Sequence, residues 1–289
     1  DHGRWLEFRR VLFRSFVLVI DIGNSVTKIL AVKKDNAKRY KFNISNDIDI
    51  KKLEKLFAEH VNEEVYVSSV NSNSLAFIVN MSKKYNCLIH TLNSNIMKEF
   101  ALKNNYQIDN IDILGSDLFA DIVGSDYNGN QLIIDCGTAT KFLIVDKNRK
   151  FYGGAISPGI TMCSNMLDSN TDLLQSYNIV VPSNPYSLKT DEAVNAGAIY
   201  GTAFMAKSYI EFINKEFPNV KVTLTGGASA FLVQAMEKIG YNNFAHDPDH
   251  IIKGICRAFN IFREVYFKWE MKKLDGSLLM PWHLQLLHY

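Results

Sequence analysis

Two apolar runs in this chain close on the same short signature. FVLVIDIGNS, residues 16–25, carries Asp21 and Gly23, and LIIDCGTATK, residues 132–141, carries Asp135 and Gly137. An apolar run closed by a turn signal reads as a buried strand. A carboxylate at the end of such a strand is costly unless something pairs with it. A glycine two residues later leaves the backbone bare, so N–H groups can approach the oxygens of a phosphate. Asn24, Ser25, Thr138 and Thr140 add side-chain donors beside the two turns. Lys28 adds a positive charge there, or is a solvated strand lysine. Asp21 and Asp135 would repel a phosphate directly, a conflict that a bound cation resolves. Mg2+ takes one or two carboxylates together with waters and phosphates. These residue types point to a nucleoside triphosphate and its metal.

The elements that must hold the turns follow from periodicity and turn residues. Strands are expected at FVLVI, VTKILAV, YKFNI, EVYVSSV and CLIHTL in the first half, with helices near Ile48–His60, after Asn73 and over NIMKEFALKNN. LGSDLFADIVGSD reads as a turn entering a helix. The second half restarts with QLIIDCGTATKFLIVDKN as strand, turn and strand, followed by FYGGAISPGI as a glycine-rich loop. Helices are expected over 160–174, 187–216, 229–239 and 250–268, with KVTLTGG as a strand among them. A strand–Asp-x-Gly–strand unit that occurs twice, each time with a lysine on the second strand, predicts two similar half-domains facing a common cleft. A β-hairpin can carry Asp and Gly at its turn for purely local reasons. The shared lysine and the match on both flanks favour duplication.

Composition narrows the function classes. The 289 residues carry a net charge of +2 and are 47% hydrophobic, a globular balance with no basic surplus for nucleic acid. Cys87, Cys136, Cys163 and Cys256 form no CxxC, so zinc and thioredoxin-type readings lack support, and reduced thiols in a cytoplasmic protein are expected. No apolar run approaches the roughly 18 residues of a membrane span. The basic N-terminus is not read as a signal peptide, because Arg14 interrupts its apolar run and the run ends in Asp21. Residues 1–15 and 269–289 continue no pattern of the domain and are read as extensions outside it. The histidines show no metal-binding spacing; HDPDH, 246–250, reads as a cap of the last helix. Cys136 reads as a small packing residue.

GxxxxGK[ST] and a well-placed GxGxxG are both missing, which disfavours a P-loop or a dinucleotide fold. The repeated Asp-x-Gly loops resemble instead the acetate and sugar kinase, heat-shock chaperone and actin superfamily. Within it, GSD (115–117), DCGTATK (135–141), GGAISPGI (153–160), KTDEAVNAG (189–197) and TGG (225–227), in this order, resemble type III pantothenate kinase over about residues 16–268. The resemblance implies an α/β fold of two duplicated actin-like (ribonuclease H-like) half-domains around a nucleotide cleft, at 16–118 and 119–268. It implies ATP-dependent phosphorylation of pantothenate to 4′-phosphopantothenate, the first step of coenzyme A synthesis, in a homodimer. By position it implies ATP contacts at Asp21, Ile22, Gly23, Asn24, Ser25, Val26, Thr27, Lys28 and Thr138. Pantothenate contacts fall at Gly115, Ser116, Asp117, Leu118 and Thr190, with Asp117 as proton acceptor. Asp135 matches the ligand of a monovalent cation, K+ or NH4+, and Asp21 is expected to hold Mg2+ through water. An ordinary aspartate, with a pKa of about 3.9, cannot deprotonate an alcohol beforehand, so Asp117 would orient the hydroxyl and take its proton late.

The sequence departs from the family pattern in the substrate segment. Leu118 stands where the family has an arginine, Asp121 where it has an asparagine, and Ile108 where it has an aromatic residue, with Tyr106 nearby. A hydrogen bond to a charged group contributes about 1.5–3 kcal/mol, so the lost arginine implies pantothenate binding weaker by about ten- to a hundred-fold unless another basic residue stands in. These departures keep two other readings open: a kinase of another small alcohol, and a non-catalytic nucleotide-binding regulator. An actin- or chaperone-like ATPase ranks below them, because the chain is too short for the extra subdomains typical there.

Overall fold

A computed structural model describes residues 16–33, 36–169 and 178–261. The expected extensions at 1–15 and 269–289 lie outside these residues, as do the ends of the helices expected over 160–174 and 250–268. The chain divides into two compact units, one from the described residues of Asp1–Leu92 and Ile255–Tyr289, the other Asn93–Gly254.

In the first unit, β1 (Phe16–Ile22), β2 (Thr27–Lys33) and β3 (Asn36–Phe42) form an antiparallel meander. α1 (Asp47–Ala58) and α2 (Ser72–Lys84) lead into β4 (Glu64–Ser69) and β5 (Leu88–Thr91), which add parallel to β1 in the order β3-β2-β1-β4-β5. Asn46 and Asn71 start the two helices by accepting from backbone N–H groups of the first turn. Leu18, Ile20 and Ile22 of β1 pack with Leu53, Phe57, Val67 and Ile78. Each such side chain, fully buried, contributes about 1.5–3 kcal/mol.

The second unit opens with α3 (Ser94–Lys103) and the short α4 (Ser116–Ile122). β6 (Gln131–Cys136), β7 (Ala139–Val145) and β8 (Phe151–Pro158) form a second meander. α5 (Ile160–Ser169) and α6 (Thr190–Glu216) precede β9 (Lys221–Thr225), and α7 (Ser229–Lys238) precedes β10 (Ala245–His246). α8 (His250–Ala258) follows and crosses the boundary between the units. The sheet order β10-β9-β6-β7-β8, read from its other edge, repeats the first sheet strand for strand, with the same parallel and antiparallel pairings. The expected α/β fold of two duplicated half-domains is what the chain forms.

One expected element differs. FYGGAISPGI is not a loop: Phe151–Pro158 is a strand with alternating exposure, paired to β7. Its glycines serve the sheet. Gly153 has φ +95° next to a register shift in the β7–β8 pairing, as at a bulge, and a Cβ on Gly154 would strike the Phe142 carbonyl.

Candidate active site

The two Asp-x-Gly turns are built alike. Asp21 lies opposite Lys28 across the β1–β2 ladder and beside Ser68 on β4. Asp135 lies opposite Lys141 across the β6–β7 ladder and beside Thr225 on β9. Both carboxylates are buried, and a lysine on the neighbouring strand faces each, which answers the desolvation cost that the sequence raises. The matching lysine of the repeat is thus a cross-strand ion pair kept in register in both halves.

In the first unit the Gly23 N–H donates to the Val26 carbonyl at 3.2 Å, and in the second the Gly137 N–H donates to Ala139 at 3.0 Å. The glycine amides therefore close their own hairpins. The expectation that a bare glycine lets backbone N–H groups approach a phosphate therefore concerns the other amides of the turns. Asn24, Ser25 and Val26 are exposed on the first turn, between buried Ile22 and Thr27. Gly137 has no left-handed φ, and a Cβ there would meet nothing closer than Ala139 O at 3.7 Å and the Asp135 carboxylate at 3.8 Å. Neither conformation nor packing demands a glycine at 137. Its effect is a bare face beside the Asp135 carboxylate.

Asp117 sits in the first turn of α4, behind Gly115 at the cap and the buried Ser116. Its Oδ1 accepts from the Leu118 N–H at 2.8 Å, and its Oδ2 accepts from Lys141 Nζ at 2.8 Å. The same ammonium donates to Asp135 Oδ2 at 2.7 Å and lies 4.0 Å from Asp121 Oδ2, on a side chain with no exposure. Three carboxylates thus share one ammonium. Burial pulls the Lys141 ammonium toward neutrality, but Asp135, Asp121 and Asp117 together outweigh it and hold its pKa well above the ordinary lysine value. Lys141 was not singled out by sequence reasoning. Its signal was its place in the repeat. Thr190 stands apart from this cluster, exposed at the first position of α6.

Close packing fixes the cluster from three sides. Gly226, with φ +96°, lies against the Asp135 carboxylate and the Cys136 carbonyl, where a Cβ would overlap both. Gly159 donates to the Thr138 carbonyl at 3.0 Å and leaves no room for a Cβ against the Gly137–Thr138 backbone. His250 Nε2 donates to the Asp121 carbonyl at 2.9 Å, and Gly254 packs against Ala120, so α8 holds α4 in place. Asp247 receives Lys253 at 2.8 Å and flanks His250 Nδ1 at 3.5 Å; burial opposes its charge, yet His250 and Lys253 hold its carboxyl well below the usual range. The HDPDH stretch thus anchors α8. Cys136 is fully buried, and burial followed by the adjacent Asp135 charge pushes its thiol far up, which leaves it an inert packing residue.

The donor chemistry separates the two expected cation sites. Asp21 offers hard carboxylate oxygens, and Lys28 stands back at 3.6 Å, which fits a hydrated Mg2+. Asp135 does not fit a potassium or ammonium ion in the same way, because Lys141 already stands on Oδ2 at 2.7 Å. The cluster as a whole, three carboxylates to one ammonium, still carries net negative charge, so it is the occupied oxygen and not repulsion that sets Asp135 apart from Asp21.

Comparison with known proteins gives a consistent result. The sequence profile of the type III pantothenate kinase family matches residues 17–211. The type III pantothenate kinase of Borrelia hermsii is 31% identical over 235 residues, covering 76% of this chain and 87% of that one. That of Flavobacterium psychrophilum is 27% identical over 234 residues, covering 78% and 93%. A solved Baf-family structure from Campylobacter jejuni superposes with a TM-score of 0.53 at 19% identity, covering 84% of this chain and 96% of that one, a likeness of fold alone.

Proposed function

The chain belongs to the type III pantothenate kinase family, and from that premise we propose how its residues divide the work of phosphorylating pantothenate with ATP at the entry to coenzyme A synthesis. The observation that carries the assignment of roles is the Asp117 carboxylate, held at the start of α4 by an amide on one oxygen and an ammonium on the other. Asp117 orients the primary hydroxyl of pantothenate and receives its proton as the γ-phosphoryl group departs from ADP. The new bond is from the hydroxyl oxygen to phosphorus, and the bond that breaks is from phosphorus to the β–γ bridging oxygen. Most of the acceleration comes from in-line positioning. Mg2+, held through water by Asp21, supplies neutralisation of the phosphate charge when bound.

The exposed turn residues Asn24, Ser25 and Val26, with Asp21, Ile22, Gly23, Thr27 and Lys28 behind them, form the ATP contact of the first half-domain, and Thr138 that of the second. Gly115, Ser116, Asp117, Leu118 and Thr190 contact pantothenate. Half-domain limits of 16–118 and 119–268 follow the family length. The monovalent cation expected at Asp135 is the one element whose donor set does not fit. A homodimer is supported by the apolar side chains left exposed on or just before α6, namely Tyr186, Leu188, Phe204 and Phe212. No helix of the described residues is long and apolar enough to cross a membrane.

The deciding experiment is ADP release by the purified full chain with Mg-ATP, with and without pantothenate. Strict dependence on pantothenate is expected; turnover with another alcohol in its place would reassign the substrate. Gly137→Ala tests the bare face of the second turn. The added methyl finds ordinary contacts, so stability should stay within about 1 kcal/mol of the parent. Turnover at limiting ATP should fall by about tenfold or more, since the methyl projects beside the Asp135 carboxylate where the phosphates approach. Unchanged ATP kinetics would remove this turn from the nucleotide site.

A further inference from the structure

We propose that the Lys141 ammonium is a built-in monovalent cation, standing on Asp135 in place of a diffusible potassium or ammonium ion, so that this chain needs no such ion. The inference rests on the kinase reading above and deepens it. An alkylammonium presents the same charge and the same N–H donors as an ammonium ion, on a tether that removes the cost of capturing it from solution.

Three observations carry it. Lys141 Nζ bridges Asp135 Oδ2 at 2.7 Å and Asp117 Oδ2 at 2.8 Å, which links the second phosphate turn to the proton acceptor. The register alone does not enforce this closeness. The first half-domain has the same Asp–Lys pairing, yet Lys28 stays 3.6 Å from Asp21. What draws Lys141 further in is α4, which brings Asp117 and the fully buried Asp121 to the same ammonium. A buried carboxylate is retained only with a charge partner.

The test uses the full chain in buffers free of potassium and ammonium, with choline chloride replacing each added salt at constant ionic strength. Two readouts are taken, the initial rate of pantothenate-dependent ADP release and the thermal midpoint without substrates. For the parent protein, KCl or NH4Cl should change the rate by less than about twofold and leave the midpoint where choline leaves it. Lys141→Thr keeps a strand-forming residue but removes the charge. It should lose rate by tenfold or more, recover part of it in NH4Cl or KCl, and gain a cation-specific midpoint shift on the order of 3 °C at ten times the dissociation constant. A tenfold activation of the parent by KCl, or an equal cation-specific shift in parent and variant, would overturn the proposal. So would a folded variant that responds to neither ion. The parent arm needs no variant and so decides even where Lys141→Thr fails to fold. The thermal readout needs no turnover. If no pantothenate-dependent ADP appears while the cation-specific shift is confined to the variant, the substrate reading fails and this inference stands.

Discussion

Asp117→Asn should lower pantothenate-dependent turnover by about 10²- to 10⁴-fold, the usual contribution of a positioned general base. The substitution is nearly isosteric, and the asparagine oxygen can still accept from Lys141, so the ammonium keeps its place. The cluster carries three carboxylates on one ammonium, and removing one negative charge relieves repulsion among the rest. The thermal midpoint should therefore stay level or rise slightly. ATP affinity should change by less than about twofold, since Asp117 faces the acceptor and not the nucleotide. The three readouts separate a chemical role from a structural one. Activity within about tenfold of the parent would remove Asp117 as proton acceptor. A fall in stability matching the fall in rate would make it a structural residue.

Gly226→Ala should be strongly damaging to the second half-domain. Glycine is required there twice over. At φ +96° an L-residue pays roughly 1–3 kcal/mol in backbone strain. The new Cβ would also overlap the Asp135 carboxylate and the Cys136 carbonyl, and overpacking against fixed groups adds about 1–3 kcal/mol. A total of about 2–6 kcal/mol is expected in urea unfolding, as a lower midpoint with the slope unchanged. Turnover should fall with it, because the group displaced is Asp135. Gly227→Ala is the control: its Cβ meets no atom within 4 Å and its φ is ordinary, so a change of about 0.5 kcal/mol or less is expected. Equal effects at the two neighbours would show that the close approach at Gly226 is not what holds the turn.

Legibility in the sequence followed the range of the interactions. Both Asp-x-Gly hairpins were readable because an apolar run and its turn residues are neighbours in the chain. Their duplication was readable because it needs only a comparison of two short stretches. The helices near Ile48–His60 and after Asn73 were readable from periodicity; their caps, Asn46 and Asn71, came from the structure. FYGGAISPGI was misread for the complementary reason. Gly153 and Gly154 look like loop residues alone, and only the β7 backbone lying against them makes them strand residues. Which N–H groups of the turns are already spent could not be read, because that depends on the carbonyl that the fold brings to each.

The sequence by itself determined the duplicated α/β architecture and the two Asp-x-Gly turns, together with the family they belong to. Each is written in local periodicity, turn chemistry and the order of short motifs. The tertiary structure alone decided that Lys141 meets Asp117 across 24 residues and that His250 reaches the Asp121 carbonyl across 129. It also decided that Gly226, Gly159 and Gly254 are the close contacts that hold those groups. A charge cluster depends on distances between elements, and those distances are set by how α4 and the start of α8 pack within the second unit. That packing is why three carboxylates distant in the sequence meet at one ammonium, at 141.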